Sequence, residues 1–510
     1  MNAVRSLCTS KLLVLLGVVL CAQPAPAQEL WEEGRNVAGV AAGDDTGHQA
    51  TAEIFGKFTS GDFRSPSMGK TLWTAGATAQ AESRFKDLYL SGNFGFELVE
   101  GTQMRGSMFT EPGYFPIDIV EFTPGTKVKQ TYDVGGGIAL RTGGRWIPGS
   151  YVRFRGVNYA KRKDLRHTTY REEFELNPSL LYLGDGWKAG ATVLFDKISE
   201  FIVAEQIGEA PTDPYMAFLD KGIRYGTLQV WDGSGTHLKE AGVDRLPVKE
   251  YGYGLALQAE LGAFLYADAE YRITRGEVGE KGYTWFRFPG SALVVRVIGT
   301  FPAASGRHQV RAHLDWSGKE NFETVLEKET NGGVTTPVEY GSNRIFQHRN
   351  LQGGLSWRFA HRERWAVKSG VSLEKNRDRS TLMYPFLDND ESTHLRWNVG
   401  GRLPLGQWTF AGGVLLSCKI GEHRHTVEND DENLGVSSYP YRLQDWWDRE
   451  QEATDATCLT ANLSVRYSFA RLLHLPLYAE AGCRWMHAFN IQLLPGSDRQ
   501  TTYFKIGYNY

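Results

Sequence analysis

The stretch YGYGLALQAEL (Tyr251–Leu261) alternates between two kinds of side chain. Apolar residues occupy one set of alternate positions: Tyr251, Tyr253, Leu255, Leu257, Ala259 and Leu261. Small and polar residues fill most of the other set: Gly252, Gly254, Gln258 and Glu260. Successive side chains of a β-strand point to opposite faces, so this pattern predicts a strand with one apolar and one polar face.

The same alternation continues after a short turn and recurs along the chain. Residues 265–273 place apolar side chains opposite Asp268, Glu270 and Arg272. Further examples are residues 72–82, 88–98, 132–141, 187–196, 308–316, 351–359, 365–374, 395–403 and 459–469. Runs of about ten residues match a tilted membrane-spanning strand and exceed the usual strand of a soluble sheet.

The connections between these runs alternate in length. Very short connections lie at 83–86, 142–146, 184–186, 260–263, 302–306, 360–364, 403–407 and 470–475. Longer, polar connections lie between them, at 99–126, 199–249, 321–346, 378–391 and 421–455. Transmembrane barrels have short periplasmic turns and long extracellular loops. We therefore predict an all-β, transmembrane, antiparallel up-and-down β-barrel of roughly 18 strands, in a range of about 14–18. The alternative is a soluble β-sandwich or propeller, whose strands also alternate.

The composition narrows the protein class. Of 510 residues, 23% are charged, 12% are aromatic and 57 are glycine, and the net charge is -3. This charge content excludes a helical membrane bundle, and the near-neutral balance gives no indication of nucleic-acid binding. Beyond residue 27 the cysteines are Cys418, Cys458 and Cys483, an odd number that does not suggest a disulfide framework.

The first residues have the pattern of an export signal. Arg5 and Lys11 provide the positive region, Leu12–Leu20 is the apolar core, and residues 25–27 (Ala-Pro-Ala) form a small-residue cleavage site. We divide the chain into a signal peptide at 1–27, a periplasmic or luminal segment at 28–47 and an outer-membrane barrel at 48–510. The expected location is the outer membrane of a Gram-negative cell.

The segment before the first strand contains LWEEGRNVAG (Leu30–Gly39). Its RNVAG portion loosely resembles the Asn-Pro-Ala segment near the start of fatty-acid-channel-type barrels, with Val37 in place of the proline. That resemblance implies an N-terminal segment tucked into the lumen. Over nearly its full length the chain also resembles uncharacterised outer-membrane barrels of Bacteroidota, on overall layout, on this segment and on the aromatic C-terminus. This second resemblance implies a fold and a location, and it implies no activity.

The stretch TTYFKIGYNY (Thr501–Tyr510) carries a ladder of apolar side chains: Phe504, Ile506, Tyr508 and Tyr510. We predict that this face contacts lipid, because a closed barrel in hydrocarbon presents its apolar face outward. The ladder resembles the C-terminal assembly signal of bacterial outer-membrane proteins. The resemblance implies that the outer-membrane assembly machinery is a partner of the chain.

The polar faces of the predicted strands carry charges of both signs. The candidate lumen-lining residues are Glu260, Asp268, Glu270, Arg272, Arg296, Arg311, Arg396, Arg466 and Arg484. Such residues either line an aqueous pore or form ion pairs that brace the wall. Glycines on the same face leave room for a segment packed against the wall: Gly135, Gly137, Gly252, Gly254, Gly354, Gly370 and Gly400. We expect that segment to be residues 29–45.

The catalytic motifs with known spacing are missing from the sequence, including G-x-S-x-G, H-E-x-x-H and the P-loop. The strand histidines His308, His313, His394 and His487 have no serine or acid partner at a fixed spacing. We therefore expect no enzyme activity, no cofactor and no metal. The long loop 421–455 contains Tyr439, Tyr441, Trp446 and Trp447, which either bind a sugar or protein partner or form a small core over the pore mouth.

The function that best fits these features is a channel or transport-related barrel for a solute that the sequence does not specify. The first alternative is a non-catalytic scaffold or accessory subunit for a surface lipoprotein or a secretion or uptake complex. The second is an outer-membrane hydrolase. The expected partners are outer-membrane lipid, the assembly machinery, and either a small solute or a surface lipoprotein.

Overall fold

The computed structural model describes residues 31–509 except for 32, 34, 44–46, 142, 206–214, 223–224, 232–245, 263, 281–282, 332, 362–363, 381–386, 422–423, 429–442 and 470–474. The predicted signal peptide, Tyr439, Tyr441 and Tyr510 lie outside the described residues. Their roles stay predictions.

The described chain is almost entirely β-structure. Its strands are β1 His48–Gly61, β2 Thr71–Arg84, β3 Leu88–Ser107, β4 Asp118–Leu140, β5 Trp146–Lys161, β6 Arg166–Leu183, β7 Trp187–Glu205, β8 Tyr215–Gly222, β9 Tyr225–Trp231, β10 Leu246–Leu261, β11 Leu265–Glu280, β12 Tyr283–Ala303, β13 Gly306–Asn331, β14 Val334–His361, β15 Trp365–Ser380, β16 Leu387–Leu405, β17 Trp408–Lys419, β18 Arg424–Glu428, β19 Thr457–Ser468, β20 Leu477–Phe489 and β21 Asp498–Asn509. Two helices are α1 Val37–Ala41 and α2 Leu443–Asp455.

Eighteen of these strands form one closed antiparallel barrel, which confirms the predicted fold class. Each barrel strand pairs with the next one along the chain, and β21 pairs back onto β1 from Thr51↔Asn509 to Gly61↔Arg499. The strands β8, β9 and β18 lie outside the ring. β8 pairs with an extension of β4, β9 pairs with β8, and β18 pairs with an extension of β16.

The two faces of the wall follow the alternation seen in the sequence. From Gly252 to Leu261 of β10, the inward residues are buried or half-buried and the outward residues are exposed. Leu255 and Leu257 are among the exposed residues. The outer face carries a belt of exposed large apolar side chains around the ring, including Trp73, Phe154, Leu255, Tyr271, Leu355, Leu373, Leu463, Phe504 and Ile506. A closed sheet with this belt satisfies every backbone group internally and presents apolar surface to lipid. Within the described residues, no helix is long and apolar enough to cross a membrane.

The extracellular side differs from the expectation at two places. Residues 321–346, expected as a loop, belong to a long β13–β14 ribbon that pairs up to Asn331↔Val334. Residues 199–249 and 421–455 include the β8–β9 hairpin, β18 and α2. The sequence pattern missed these elements because they do not face a membrane on one side, so their alternation is weak.

Candidate functional site: two segments inside the barrel lumen

The described residues of 31–43, here called the luminal segment, lie inside the barrel near the short turns that the sequence predicts to be periplasmic. Trp31 is 1% exposed, and its indole N–H donates to Glu260 Oε2 at 2.6 Å. The indole ring meets Tyr266 edge-on, with ring centroids 5.4 Å apart. Farther along, Asn36 Nδ2 donates to Gln258 Oε1 at 3.0 Å. The polar face of β10, which carries Gln258 and Glu260, therefore holds the luminal segment.

The wall offers this segment a seat made of small residues. A Cβ at Gly190 would lie 2.5 Å from Asn36 Nδ2, and one at Gly149 would lie 2.9 Å from the Ala38 nitrogen. A Cβ at Gly137 would meet Val37 at 3.0 Å. Glycine is therefore required where the segment and the wall approach most closely. The expectation that wall glycines make room for a packed segment holds at Gly137.

Charged residues tie the segment to both sides of the lumen. Glu33 Oε1 pairs with Arg311 Nη2 at 2.8 Å, and the Glu33 carbonyl accepts from Arg296 Nη2 at 3.0 Å. Arg35 lies 3.7 Å from Glu175 and 4.0 Å from Asp196. Ion pairs of this kind are exposed to water on one side, so each contributes little to docking. The apolar seat and the Trp31 and Asn36 hydrogen bonds hold the segment.

A different structure lies at the extracellular mouth. Residues 108–117 between β3 and β4, here called the inserted loop, fold into the barrel and bury Met108, Phe109 and Phe115. The Phe115 ring packs against Phe288 at a centroid distance of 5.5 Å. These side chains belong to one apolar cluster with residues of β7, β8, β10, β11, β12 and β14. The inserted loop is thus part of a continuous core.

A buried ionic network locks the inserted loop to the wall. Arg171, 2% exposed, pairs with Glu200 at 3.2 Å and with Glu111 of the loop at 3.4 Å. Burial acts to raise the pKa of the Glu111 carboxyl, but Arg171 and Arg155 outweigh it and hold this pKa below its ordinary value. Glu111 is therefore a carboxylate in the closed state.

A second polar contact involves Tyr114 of the inserted loop. Its hydroxyl donates to Glu250 Oε1 at 2.7 Å, and burial together with the Glu250 charge raises its pKa well above the ordinary value. The phenol therefore stays protonated and remains a donor. Lys319 completes the contact, because its ammonium lies 2.6 Å from Glu250 Oε2 and donates to the Tyr114 carbonyl at 3.2 Å.

The β8–β9 hairpin and helix α2 lie at the same mouth, and with the inserted loop they form what we call the extracellular cap. The hairpin reaches the opposite wall, where Lys221 pairs with Glu323 at 2.7 Å and Asn321 Nδ2 donates to the Lys221 carbonyl. On helix α2, Glu450 accepts from the Ser67 backbone nitrogen at 2.8 Å. The cap thus connects β1–β4 with β13 and β14.

The aromatic residues of α2 face this cap. Trp446 meets Phe122 edge-on at 5.4 Å, and Trp447 meets Phe218 at 5.7 Å. Both tryptophans therefore pack within a small core over the mouth, which is one of the two roles that the sequence left open for them. A binding role for these residues stays a prediction.

The predicted lumen residues all lie on the inner faces of barrel strands, but their environments differ. Glu260 and Asp268 are buried beneath the luminal segment, so they do not line an open bore. The sequence alone could not show this, because the segment that covers them is more than 200 residues away in the chain. Most of the set forms ion pairs: Glu260–Lys188, Asp268–Arg296, Glu270–Arg272, Arg272–Asp196, Arg311–Glu33, Arg396–Glu374 and Arg466–Glu480. Arg484 lies opposite Asn462 in the register of β19 and β20.

The described residues include histidine–carboxylate pairing but no metal-binding group. Within them, no group of three or more histidine, cysteine or acidic side chains is arranged to hold a metal ion. The expectation that His487 lacks an acid partner is wrong, because its Nδ1 lies 2.9 Å from Asp498 Oδ1 at the extracellular rim. The two residues are eleven apart and meet only across the β20–β21 register. Among the described contacts, no hydroxyl or thiol is hydrogen-bonded to this pair.

Residues 38–510 match the model of a family described as a family of unknown function (DUF6850). The chain belongs to this family. No curated protein matches the chain. Among solved structures, FpvA of P. aeruginosa bound to heterologous pyoverdines is 10% identical, with 91% of this chain and 72% of that chain covered and a TM-score of 0.43.

Two further solved structures are similar at the same level. For the RagAB peptide transporter the identity is 8%, the coverage is 91% of this chain and 75% of that chain, and the TM-score is 0.39. For OccAB4 of Acinetobacter baumannii the identity is 8%, the coverage is 92% of this chain and 99% of that chain, and the TM-score is 0.33.

Proposed function

We propose that this member of the family is an outer-membrane channel or transport-related barrel whose lumen is narrowed, in the described conformation, by two segments of its own chain. The observation that carries the proposal is the luminal segment, which occupies a seat in a wall that otherwise encloses polar space. A ring of 16–18 strands is wide enough to leave an aqueous channel once it is cleared.

The wall opposite the luminal segment supports this proposal. The inner faces of β14 to β17 carry small residues at mid-height, including Gly354, Gly370, Gly400 and Gly413. Asn398, on the same inner face as Gly400, is exposed. The exposed amide of Asn398 supports a bore that wall side chains alone do not fill on this side.

The proposed location is the outer membrane, reached by signal-peptide export. The belt of exposed apolar side chains supports it, and the outward Phe504 and Ile506 fit the proposed recognition by the assembly machinery. The luminal position of residues 31–43 agrees with the tucked N-terminus that the resemblance to fatty-acid-channel-type barrels implied. The proposal includes no reaction, no cofactor and no nucleic-acid partner.

A scaffold or accessory role is the second candidate, and one observation favours it. The β13–β14 ribbon extends well beyond the belt, and it exposes Val325 by 44% and Tyr340 by 59%. Exposed apolar side chains on a projecting ribbon suit a protein partner, such as a surface lipoprotein.

Conductance in planar bilayers tests the channel proposal. The wild-type protein should be silent or conduct weakly. Deletion of residues 31–43, of α2, or of both should raise conductance, with the largest value for the double deletion. If the double deletion leaves the barrel folded, as judged by faster migration of unboiled samples on gels, and still closed, the channel proposal fails and the scaffold is favoured.

A full-length variant gives a milder version of this test. Trp31→Ala removes the indole from its seat and its hydrogen bond to Glu260, which should weaken docking by about 3–5 kcal/mol. The variant should open more often than the wild type. Trp73→Ala is the matched control, because Trp73 lies on the outer face and is 61% exposed. It should leave conductance unchanged.

A further inference from the structure

Four arginines lie around the connection between β1 and β2 (residues 62–70), at the extracellular end of the barrel. They are Arg64 of the connection itself, Arg105 near the end of β3, Arg449 of α2 and Arg499 at the start of β21, here called the arginine cluster. Arg105 Nε donates to the Pro66 carbonyl at 3.3 Å, and Arg499 Nη2 donates to the Gly69 carbonyl at 3.1 Å. The connection therefore lies between guanidinium groups from two different strands.

Helix α2 brings the fourth charge to the same place. The Arg105 guanidinium lies over the Trp446 ring, 5.0 Å from its centroid, and Arg449 follows three residues later on the helix. Burial lowers the pKa of Arg105, and the positive charges of Arg449 and Arg64 lower it further. The charge of Arg64 also acts on Arg499. The cluster thus holds like charges close enough to repel one another, partly away from water.

The acidic residues near the cluster are engaged elsewhere. Among the described residues, none of the four arginines forms an ion pair with a carboxylate. The two carboxylates whose charges act on Arg105 belong to Glu450 and Glu121. Glu450 accepts from the Ser67 backbone nitrogen, and Glu121 pairs with two buried lysines. The cluster therefore has no counter-charge of its own in the part of the chain that the structure describes.

Two guanidinium nitrogens of the cluster are buried without a hydrogen-bond partner. Arg499 is 8% exposed, and its Nη1 has no partner among the described residues; the same holds for Nε of Arg64. Taking a charge out of water costs free energy that a counter-charge and hydrogen bonds must offset. Other buried cations obey this rule, since Lys127, Lys161 and Arg171 each pair with a glutamate. The arginine cluster departs from it.

The chemistry of the cluster selects the missing group. Guanidinium groups bind carboxylate and phosphate with matching planar geometry. A carboxylate offers one charge and two oxygens, whereas a phosphate group offers more than one charge at neutral pH and at least three acceptor oxygens. A phosphate group can therefore answer several guanidinium groups at once, which a single carboxylate cannot.

We propose that the arginine cluster binds a phosphate group, carried either by a solute or by a lipid headgroup, and that the bound group bridges helix α2 and the barrel wall. Arg449 belongs to α2, whereas Arg64, Arg105 and Arg499 belong to the barrel and its β1–β2 connection. Neutralising the repulsion between them holds the helix in place. The site stands on these contacts alone and does not depend on the channel function.

Phosphate binding to the detergent-solubilised full-length protein is the first test. Calorimetric titration with inorganic phosphate should show saturable binding, and Arg64→Gln/Arg105→Gln should weaken it at least about tenfold, because charge-assisted hydrogen bonds are lost. Arg449→Gln changes an exposed side chain, so it spares the fold, and it should weaken binding several-fold. Arg287→Gln is the matched control, since Arg287 is an exposed extracellular arginine that already pairs with Glu339. Absence of saturable binding, or equal binding by all variants, overturns the inference.

Thermal unfolding with and without phosphate separates a binding site from a purely structural role. In phosphate-free buffer, Arg64→Gln/Arg105→Gln should be at least as stable as the wild type, because it removes charges that lack a counter-ion. Added phosphate should raise the unfolding temperature of the wild type with increasing concentration and leave that of the variant unchanged. Equal loss of stability by the variant in both buffers means that the arginines serve the fold alone, which overturns the inference.

Two further measurements identify the source of the phosphate and the role of α2. Lipopolysaccharide micelles that compete with inorganic phosphate, in the wild type and not in Arg64→Gln/Arg105→Gln, assign a lipid headgroup. Phosphate binding without such competition assigns a solute. Phosphate should also protect α2 of the wild type from proteolysis and give the double variant no protection. Phosphate binding without protection of the wild-type helix would overturn the bridging of α2.

Discussion

The luminal segment and the extracellular cap are held in the barrel by different kinds of contact. The luminal segment lies on the wall without forming a strand with it. It is held by an apolar cluster of Trp31 and the residues of α1 against the wall, a few side-chain hydrogen bonds and a glycine seat. The inserted loop of the cap joins two barrel strands, is followed by a β4 extension that pairs with β8, and shares its apolar core with the wall. Undocking the luminal segment leaves all strand pairing intact, whereas release of the inserted loop exposes the larger core that it shares with β8 and the wall.

This difference suggests which end opens. Undocking the luminal segment exposes Trp31 and the buried residues of α1 and breaks a few hydrogen bonds, but it breaks no strand pairing. Opening the cap exposes Met108, Phe109 and Phe115 to water and separates a buried ionic network. We therefore expect the luminal segment to respond to solute or to a partner, and the cap to remain in place.

The largest effect that would test this comparison is expected at Arg171. Arg171→Met leaves Glu200 and Glu111 without their shared guanidinium in a buried site, which should destabilise the docked cap by about 3–5 kcal/mol. Urea unfolding from liposomes and proteolysis of the inserted loop measure this change. Conductance through the periplasmic end should be affected less than by Trp31→Ala.

The matched control for this variant is Arg287→Met. Arg287 pairs with Glu339 where both side chains are well exposed to water, so its loss should cost about 0–1 kcal/mol. Equal destabilisation by the two variants would mean that the cap network is not buried in the membrane-bound protein. The contrast between an integral cap and a detachable segment would then be lost.

Local alternation was sufficient to predict the barrel strands, their facing and the closed ring. In β10 the exposed Leu255 and Leu257 and the buried Gln258 follow directly from the period of two, because lipid and lumen impose opposite demands on alternate positions. The alternating connection lengths were sufficient for the strand count. Both signals are local, and neither requires knowledge of a distant residue.

The positions of the luminal segment and the inserted loop could not be predicted in the same way. Trp31 and Glu260 meet across 229 residues of sequence, and nothing in the local pattern of either one names the other. The lumen charges were recognised as lumen charges, but whether Arg311 faces water or Glu33 depends on where the luminal segment lies. The inserted loop was expected only as a polar connection, since its few apolar residues have no strand period.

A mid-sized effect is expected at the glycine seat. Gly190→Val adds a side chain where even its Cβ would lie 2.5 Å from Asn36 Nδ2 and 2.8 Å from Trp31 Cζ3. Overpacking of this kind should weaken docking of the segment by about 1–3 kcal/mol. Single-channel recordings should show a higher open probability with an unchanged cap.

Gly353→Val is the control for that variant. Gly353 faces outward, and a Cβ there meets Leu314 at an ordinary contact distance of 3.7 Å. The lipid-facing valine should leave open probability unchanged. If both variants open the channel, the effect comes from general distortion of the wall and not from the seat.

The smallest effect concerns acid, and it distinguishes two carboxyl groups within the cap. The pKa of Glu111 is held below its ordinary value by Arg171 and Arg155 against the opposing effect of burial. Its contribution to cap stability is therefore fully present above the unfolded pKa of about 4.3 and is lost as the pH falls through the lower folded pKa. Burial raises the pKa of Glu450 on α2, although its hydrogen bonds with Ser67 oppose this, so protonation favours the folded form of that contact.

Acid should therefore loosen the inserted loop while α2 stays docked. Proteolysis of residues 108–117 with an acid-active protease should increase below about pH 4, since protonation removes the charge on Glu111 that Arg171 and Arg155 stabilise. Glu111→Gln should already be susceptible at neutral pH and should show a flatter pH profile. Glu450→Gln should behave like the wild type, because the amide oxygen can still accept from the Ser67 backbone nitrogen. An identical acid response in Glu111→Gln and the wild type would show that another group controls the cap, and the ionic lock would lose its role in holding the extracellular end closed.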